Sequence, residues 1–414
     1  MKIIILGSGL LGVTTAYELA KRGFEVTVLD RKEASAAECS YANGGQLSYS
    51  TAEPWATPEV LKKLPKWLVH PDAPLVFRPR ADLDMIKWGL RFLRNCTVER
   101  ASINTVNLLR LGLYSRMEMH RIVQEIAITF DYTSKGILQL YGSDADFESA
   151  KKQMEFQAKF GCKQTILTAN KCIELEPALA HTSRPIAGGI HAVMDEVGDA
   201  HIFCNALANY AAEKHGVKFL YGTTIKAIIT EENRVFAVET NAGQMQADGF
   251  VMAMGSYSAI FMKRLGVKIP VYPMKGYSLT LNADEYTPQS SITDNAYKVV
   301  YTRIGSKLRI AGTAEFAGYN DKINESRIKP ILRAAKSILP KVNWNQPVEK
   351  WACLRPSTPT GLPVLGPTPY VNLFLNTGHG TLGWTQAAGS ASIVADIMQN
   401  KAPQILMNGM ILER

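Results

Sequence analysis

Residues 1–30, MKIIILGSGLLGVTTAYELAKRGFEVTVLD, contain the features that decide the fold. Residues 3–6 are a short aliphatic run, which predicts a strand buried on both faces. Glycines follow at positions 7, 9 and 12 in the spacing G-x-G-x-x-G, and residues 11–22 then predict a helix. A second β-rich run, residues 26–29, ends at Asp30. The stretch therefore predicts a strand–turn–helix–strand unit.

The glycines of this unit suit a turn that binds phosphate. Gly7 permits the tight turn, Gly9 lets the backbone approach a pyrophosphate, and Gly12 lets the helix pack closely on the strand. The N–H groups and the positive dipole end at the helix start favour an anion. Asp30 stands about 20 residues beyond the glycines, where a carboxylate accepts hydrogen bonds from ribose hydroxyls. Such a carboxylate repels a 2′-phosphate, an effect that the neighbouring Arg31 weakens. The unit predicts a dinucleotide site.

Composition narrows the class of protein. The chain has 414 residues, 46% hydrophobic and 20% charged, which predicts a globular protein of two or three domains. The formal net charge of +9 is spread along the chain without a nucleic-acid-binding motif, so we expect no nucleic-acid partner. No apolar run reaches the length of a membrane-spanning helix. The 6 cysteines form no C-x-x-C pair, which argues against a metal site and favours a reducing compartment.

Residues 53–96 are a proline-rich, basic insertion. Its prolines argue against long helices through most of it; they are Pro54, Pro58, Pro65, Pro71, Pro74 and Pro79. A helix is predicted at the end of the insertion, residues 83–95, with Asp82 as its N-cap. Three tryptophans are interspersed: Trp55, Trp67 and Trp88.

The predicted helix at 83–95 has an apolar and a basic stripe. The apolar stripe consists of Leu83, Ile86, Leu90 and Leu93, and the basic stripe of Lys87, Arg91 and Arg94. Basic residues outnumber acidic ones across 62–94. Besides the basic stripe, the basic residues are Lys62, Lys63, Lys66, Arg78 and Arg80, and the acidic residues are Asp72, Asp82 and Asp84. Two interpretations are open. The segment docks on anionic lipid as a peripheral membrane contact, or the helix covers the protein core.

The rest of the chain alternates helices and strands. Helices are predicted at 102–125, 147–160 and from Ala200 to Gly216. Strands are predicted at 137–141, from 188 to near Asp195, and at 217–220, 223–229, 235–240 and 249–253. This return to β-helix-β after an interruption predicts a nucleotide domain that is discontinuous in sequence. Alternating apolar residues and tyrosines in 268–345 predict antiparallel sheet in a second domain.

Motifs along nearly the whole length agree with one family. They are Gly7-x-Gly9-x-x-Gly12 with Asp30, Ala42-Asn43-Gly44-Gly45-Gln46, Gly198-Asp199, Asp248-x-x-Val251-Met252-Ala253-x-Gly255, Pro273-x-Lys275-Gly276-Tyr277, Leu354-Arg355-Pro356-x-Thr358-Pro359-x-Gly361-x-Pro363 and Gly378-His379-Gly380-Thr381-Leu382-Gly383-Trp384. With these motifs the chain resembles the flavin-dependent amine oxidoreductases of the D-amino-acid oxidase and glycine oxidase superfamily. It most closely resembles the D-amino-acid dehydrogenase small-subunit family.

The resemblance implies an α/β fold with two domains. A Rossmann-like FAD-binding domain is expected at 1–130, 198–262 and 350–405, including the insertion at 53–96. A substrate-binding α+β domain with an antiparallel sheet is expected at 131–197 and 263–349.

The resemblance also implies that the cofactor is FAD, held non-covalently, rather than NAD. A second glycine-rich stretch, 378–384, suits an extended dinucleotide whose far ring needs further backbone contacts. A helix predicted to start near Gln386 would bring positive potential to that ring, which stabilises a reduced, anionic flavin. The expected cofactor-binding residues are Gly7, Ser8, Gly9, Leu10, Leu11, Gly12, Asp30, Arg31, Ser40, Asn43, Gly44, Gly45, Gln46, Ile225, Gly255, Gly378, His379, Gly380, Thr381, Leu382, Gly383 and Trp384.

The activity implied is the oxidative deamination of D-amino acids. Hydride passes from Cα to the flavin, and water hydrolyses the imino acid to a 2-oxo acid and ammonia. No protein base is needed, because the lone pair of the neutral amine assists. Arg355 is expected to hold the substrate carboxylate in a guanidinium fork; the alternative is a structural salt bridge. Tyr277 either lines the substrate pocket or packs in the sheet.

Other assignments stay open at the level of sequence. His379 stacks or caps in its loop, or acts as an acid or base. Cys353 is an inert buried thiol, or it bonds the flavin as a cysteine does in the related sarcosine oxidases. D-Alanine or D-proline are the expected substrates, with electrons passing to a quinone at the cytoplasmic face of a bacterial inner membrane. The alternatives are an oxidase that uses O₂ on glycine, proline or N-methyl amino acids, and a non-catalytic flavoprotein subunit.

Overall fold

The computed structural model describes residues 1–69, 73–78 and 80–412, and for 65–69 it describes the backbone only. Predictions that involved Pro71, Asp72, Pro79 and the side chains of Pro65, Lys66 and Trp67 therefore lie outside the described residues. The α-helices are α1 Leu10–Lys21, α2 Pro58–Val69, α3 Leu83–Asn95, α4 Val98–Ile126, α5 Asp144–Ala158, α6 Ala169–Leu175, α7 Ala200–His215, α8 Ser258–Arg264, α9 Glu325–Ile338 and α10 Gly383–Met398.

The strands alternate with these helices. They are β1 Lys2–Leu6, β2 Glu25–Leu29, β3 Gln46–Leu47, β4 Leu75–Phe77, β5 Ile137–Tyr141, β6 Thr165–Leu167, β7 Gly188–Ala192, β8 Glu196–Val197, β9 Lys218–Leu220, β10 Ile225–Glu231, β11 Arg234–Thr240, β12 Gly243–Met245, β13 Gly249–Met252, β14 Tyr272–Asn282, β15 Ser291–Asp294, β16 Val299–Ile304, β17 Lys307–Phe316, β18 Glu349–Ser357, β19 Val364–Pro367 and β20 Leu373–Thr377.

The opening unit lies at the centre of a six-stranded sheet of order β19-β20-β13-β1-β2-β9. All pairs in it are parallel except β19–β20. Ile3, Ile4, Ile5 and Leu6 are at most 3% exposed, which confirms the prediction of a strand buried on both faces. Helices α1, α7 and α10 contribute to the core on one side of this sheet. Ligands of such sheets bind at the carboxyl ends of the strands, where the glycine turn lies.

The second large sheet of the protein is mixed, with both antiparallel and parallel pairs. Its order is β18-β14-β17-β16-β15-β5-β7-β6, and β4 pairs with one end of β17. Strands β14, β16 and β17 pair antiparallel, as predicted for 268–345, whereas β15 and β5 pair parallel. Strand β18, Glu349–Ser357, hydrogen bonds to β14 and thus belongs to this sheet. The domain boundaries given above remain a prediction.

Two sequence predictions about helices need correction. A 12-residue helix, α2, forms inside the insertion, although its prolines argued against long helices. It begins at Pro58, where the missing N–H costs nothing because the first turn has no carbonyl partner. Helix α10 begins at Gly383 and not near Gln386, so the end of the second glycine-rich stretch belongs to the helix itself.

Helix α3 has the bounds predicted for it, and the Asp82 carboxylate caps it by accepting hydrogen bonds from the N–H groups of Asp84 and Met85. The face toward the core carries Trp88 and Phe92, which are 5% exposed. The indole N–H of Trp88 donates to the carbonyl of Ser357 at 2.9 Å. Trp88 is therefore a core residue.

The predicted apolar stripe lies on the opposite face of α3. Leu83, Ile86, Leu90 and Leu93 are 71%, 50%, 52% and 40% exposed. The basic side chains Lys87, Arg91 and Arg94 are also exposed. We call these seven residues the outer face of α3. The helix does cover the core, as the second interpretation has it, but through Trp88 and Phe92 and not through this stripe.

No helix in the described residues is long and apolar enough to cross a membrane. Among these residues no group of three or more metal-ligating side chains could hold a metal ion.

Candidate active site

One cavity of about 1380 Å³ joins the glycine turn of the parallel sheet to the face of the large sheet. It is lined at one end by Gly7, Gly9 and Asp30 and at the other by residues of β14, β17 and β18. This volume is larger than that of an ordinary small-molecule pocket, which is about 300–1,000 Å³. The cavity therefore has room for a dinucleotide and a second, smaller ligand.

The glycine turn has the backbone geometry that its sequence predicts. Gly7 has φ +105°, which only glycine adopts without strain, and a Cβ at Gly12 would lie 1.9 Å from the carbonyl O of Gly7. Nothing lies within 4 Å of a Cβ built on Gly9, so this position opens to the cavity. The N–H of Leu10, at the start of α1, donates to Ser40 Oγ at 3.3 Å. Gly12 thus packs the helix on the strand, and Gly9 leaves the approach to the backbone clear.

Asp30 holds the end of β2 against the turn. Its Oδ2 accepts hydrogen bonds from Ser8 N–H at 2.7 Å and from Ser8 Oγ at 2.9 Å, and its Oδ1 accepts one from Lys32 N–H. A carboxylate has about four lone-pair sites, so it can accept further bonds from a ligand. Arg31, next to it, lies over the ring of Tyr257 with its Cζ 4.3 Å from the ring centroid.

The loop at 42–46 lies between the two sheets. Asn43 Oδ1 accepts a hydrogen bond from Gly45 N–H at 2.6 Å, and Arg309 donates to the Asn43 carbonyl at 3.0 Å. The Gln46 amide reaches the large sheet, where it donates to Ser291 Oγ and Thr293 Oγ1. A Cβ on Gly44 would lie 2.9 Å from Val300 Cγ2. Small residues are needed here because the loop packs directly on β16 and β17.

Arg355 projects from β18 into the same cavity. Its guanidinium is half-buried and forms no hydrogen bond or ion pair with any of the described residues. It lies over Gly276 of the neighbouring strand β14, where an added Cβ would be 2.2 Å from Arg355 Cζ. Gly276 therefore provides the space that the guanidinium occupies. A half-buried arginine without a protein partner is suited to bind a ligand carboxylate.

Tyr277 also lines the cavity, but its hydroxyl is engaged elsewhere. The hydroxyl donates to Glu315 Oε2 at 2.5 Å, and Lys275 Nζ lies 3.3 Å from the same oxygen. Burial, together with the hydrogen bond to Glu315, raises the pKa of Tyr277 far above its usual range. Arg78 pairs with the other oxygen of Glu315 at 2.6 Å. The hydroxyl thus belongs to a charged network, and a role for it toward substrate carboxylate remains a prediction.

His379 is a buried, neutral histidine in the second glycine-rich stretch. Its Nε2 lies 2.9 Å from Ser390 Oγ in α10, whereas Nδ1 has no hydrogen-bond partner among the described residues. Burial lowers the pKa of His379 from 6.5 to about 3, so the ring is uncharged near neutral pH. It lines the cavity beside Arg355 and Thr381.

Most residues predicted from sequence line this one cavity. Those that line it are Gly7, Gly9, Leu10, Leu11, Asp30, Arg31, Ser40, Asn43, Gly44, Gln46, Ile225, Gly255, Tyr277, Arg355, His379, Gly380, Thr381, Leu382, Gly383 and Trp384. Four others do not line it: Ser8, Gly12, Gly45 and Gly378. Trp384 also contributes to the core, since its indole donates to the Gly198 carbonyl and packs on Phe203.

The sequence did not reveal a further set of polar residues that line the cavity, which we call its polar end. Glu53 and Lys298 come from the insertion and from the β15–β16 turn, with Gln139 and Tyr141 of β5 beside them. Burial raises the pKa of Glu53 and lowers that of Lys298. No motif links these positions, because three separate parts of the chain supply them.

The residues present fit FAD. A glycine turn at a helix start, an acidic residue after the second strand, and a cavity that continues to a second glycine-rich stretch provide an elongated cradle. The unpartnered Nδ1 of His379 adds a polar atom to the wall at the far end.

Comparison with known proteins identifies the family. The model of the FAD dependent oxidoreductase family matches residues 2–397. A D-amino acid dehydrogenase of Paramagnetospirillum magneticum is 44% identical over 100% of this chain and 99% of its own length. Another, of Rhizobium johnstonii, is 43% identical over 98% of this chain and 97% of its own length.

Solved structures agree on the fold. Glycine oxidase from Geobacillus kaustophilus has a TM-score of 0.79 at 22% identity, covering 100% of this chain and 98% of that one. L-Proline dehydrogenase from P. horikoshii has a TM-score of 0.75 at 20% identity, covering 98% and 95%. The predicted fold class and the preference for FAD over NAD are thus confirmed. The chain belongs to the FAD-dependent oxidoreductase family, and within it resembles the D-amino acid dehydrogenases over its full length.

Proposed function

We propose that this protein is an FAD-dependent dehydrogenase that oxidises D-amino acids to 2-oxo acids and ammonia. The observation that carries the proposal is the guanidinium of Arg355, which faces the cofactor cavity and forms no ion pair with the described residues. The names of the relatives, which are 39–44% identical to this chain, support the choice of substrate class. When bound, FAD would accept the two electrons that leave the α-carbon of the substrate.

Arg355 would hold the substrate carboxylate through two parallel N–H···O bonds, which fixes the orientation of Cα. Gly276 has no side chain, so the guanidinium can occupy the space above β14. His379 is neutral, so Arg355 is the cationic group of the two that can attract the carboxylate. The polar end at Glu53 and Lys298 would receive the substrate side chain. We assign the cofactor to 1–130, 198–262 and 350–405 and the substrate to 131–197 and 263–349, with Arg355 at the junction.

We further propose that electrons leave for a quinone at a membrane surface, with the outer face of α3 as the contact. Four exposed aliphatic side chains beside three exposed cations suit the interface of an anionic bilayer, where apolar groups enter and cations bind headgroups. The adjoining start of α4 extends the apolar surface with Val98, 73% exposed. In a bacterium this would place the protein at the cytoplasmic face of the inner membrane.

Substitution of Arg355 tests the central proposal. Arg355→Leu should lower kcat/KM for D-alanine at least about 100-fold, because two charged hydrogen bonds are lost and each contributes about 1.5–3 kcal/mol. Arg355→Lys keeps the charge without the fork and should recover part of the loss. The assay is dye reduction with a panel of D- and L-amino acids, and the flavin absorbance of each variant shows that FAD is still bound.

Arg234→Leu, on β11 and outside the cavity, is the matched control and should retain normal kinetics. If Arg355→Leu oxidises D-alanine with unchanged kcat/KM, Arg355 does not hold the carboxylate. If the wild-type protein binds FAD but oxidises only L-amino acids, the proposed substrate class is wrong.

A further inference from the structure

A pair of cysteines from distant parts of the chain meets in the wall of the cofactor cavity. Cys39 follows β2, and Cys353 lies in β18; both are free, partly exposed thiols that line the cavity. The Sγ of Cys39 lies 3.0 Å from the carbonyl O of Leu354, the residue next to Cys353. The Cys39 thiol therefore lies against the backbone of β18 beside Cys353, and each thiol shifts the pKa of the other. The remaining four cysteines are buried in the core.

The two thiols have different electrostatic surroundings. Strand residues two apart share a face, so Cys353 and Arg355 project toward the same side of β18, and both line the cavity. The hydrogen bond from Cys39 and then the positive charge of Arg355 lower the pKa of Cys353, against the effect of burial. The same hydrogen bond, together with burial, raises the pKa of Cys39. Cys353 is therefore the better nucleophile, and Cys39 stays a protonated thiol beside it.

We propose that Cys39 and Cys353 form a reversible disulfide when the protein meets a hydroperoxide, so that the cofactor cavity contains a redox modification site. A cavity-lining thiol of lowered pKa with a second thiol held against the neighbouring backbone is the arrangement of a peroxide-sensitive pair. The bond would join the segment after β2 to the strand that carries Arg355. It goes beyond the proposed amino-acid oxidation and does not depend on it.

The chemistry is balanced within the pair. The Cys353 thiolate attacks a peroxide oxygen, the O–O bond breaks, and an alcohol or water leaves with the proton of Cys353 as Cys353–SOH forms. The sulfur of Cys39 then attacks the sulfenic sulfur, the S–O bond breaks, and water leaves with the proton of Cys39. Two thiols and one hydroperoxide thus give one disulfide, one alcohol or water, and one further water. The two electrons pass from sulfur to the peroxide oxygens.

The test treats the FAD-loaded protein with hydrogen peroxide and maps its cysteine peptides without reduction. We expect a cross-linked peptide that contains Cys39 and Cys353, lighter by two hydrogens and returned to two thiols by dithiothreitol. Cys172, fully buried in the large-sheet core, is the internal control and should stay reduced. Absence of the cross-link at peroxide levels that oxidise exposed methionines would overturn the proposal. So would a Cys353 peptide that already carries flavin before treatment.

Two variants test the assignment of roles. In Cys39→Ser the sulfenic acid on Cys353 has no resolving thiol and should be trapped by dimedone. In Cys353→Ser, Cys39 should stay largely unlabelled under the same conditions. Labelling with the reverse preference contradicts the assignment of Cys353 as the attacking thiol. The wild-type peptide map decides the main question even if a variant folds poorly.

Discussion

Gly276 shows how a residue without a side chain determines the position of a functional one. An added Cβ would lie within 2.5 Å of three guanidinium atoms of Arg355, closer than Cβ atoms approach in proteins. The backbone of Gly276 lies outside the left-handed region, so alanine is acceptable to the strand itself. We therefore predict that Gly276→Ala leaves the fold and FAD binding intact but displaces the guanidinium. KM for D-alanine should rise about 10-fold or more, which corresponds to a loss of about 1.4 kcal/mol.

Gly89→Ala is the control for this prediction. Gly89 lies in α3 with nothing within 4 Å of an added Cβ, so the same change there should leave KM unchanged. Steady-state kinetics of the two variants decide the matter. Equal KM values for both variants would mean that the guanidinium has room to shift without loss of substrate affinity.

The lowered pKa of His379 leads to a prediction about how the stability of the protein depends on pH. Its pKa is lowered from 6.5 to about 3 in the folded protein, so between these values the unfolded chain binds one proton more. Stability therefore rises with pH in this window and falls on acidification, by about 1.4 kcal/mol per pH unit for this group. Between pH 7 and pH 5, the free energy of unfolding of His379→Gln should fall by about 2 kcal/mol less than that of the wild type. Urea unfolding with FAD in excess measures this, and parallel pH profiles would refute it.

Sequence reasoning reached some of these residues and missed others for a physical reason. The Leu354-Arg355-Pro356 motif pointed to Arg355, which lies in the cavity without an ion-pair partner in the part of the chain that the structure describes. The need for glycine at 276 depends on the register of β14 against β18, and the position of Cys39 beside Cys353 depends on the approach of a distant segment to β18. Neither is encoded in local spacing. The charge state of His379 follows from burial, which its glycine neighbours do not reveal.

At the scale of the element, α3 shows what periodicity leaves undecided. The stripe of Leu83, Ile86, Leu90 and Leu93 was predicted correctly, and so were both ends of the helix. A second stripe, Trp88 and Phe92, has helical spacing as well, and it is the one that packs against Phe316 and Tyr272. Aromatic rings bury more area than leucines, so this stripe goes inside. Hydrophobicity alone could not rank the two faces.

The outer face of α3 leads to a test with vesicles. Replacement of Lys87, Arg91 and Arg94 by glutamine should weaken cosedimentation with anionic vesicles roughly 100-fold, since each of the three cations near such a surface contributes about 1 kcal/mol. Ile86→Ser with Leu90→Ser should weaken it further at high salt, where the apolar contribution dominates. The control replaces three exposed lysines elsewhere, Lys214, Lys218 and Lys307, with the same loss of charge. Unchanged binding and salt sensitivity in the α3 variant would exclude this face as the contact.

At the scale of the whole molecule, the two-sheet architecture was predictable, whereas the junction between the sheets was not. The β-helix-β units pointed to the parallel sheet, and the alternating pattern of 268–345 to the antiparallel strands. The cavity between them has walls from more than ten separate segments. Its polar end at Glu53 and Lys298 exists only because the insertion folds back over the large sheet.

The choice of electron acceptor depends on the whole protein and not on one residue or element. If the protein passes electrons to a quinone, a quinone analogue should be reduced in proportion to the 2-oxo acid formed, with little hydrogen peroxide in air. Parallel assays of quinone reduction, 2-oxo acid and peroxide measure this. Peroxide in equal amount to the 2-oxo acid, with no effect of added quinone, would identify an oxidase instead.

The order of strands in the parallel sheet also has a consequence for synthesis. Strand β1 is made first, yet one of its two neighbours is β13, near residue 250, and the sheet continues to β20, Leu373–Thr377. A nascent chain on the ribosome therefore has its glycine turn long before the strands that support it. The flavin can be held by the complete sheet only after β20 has been made, and a chain truncated before β20 should accumulate without it.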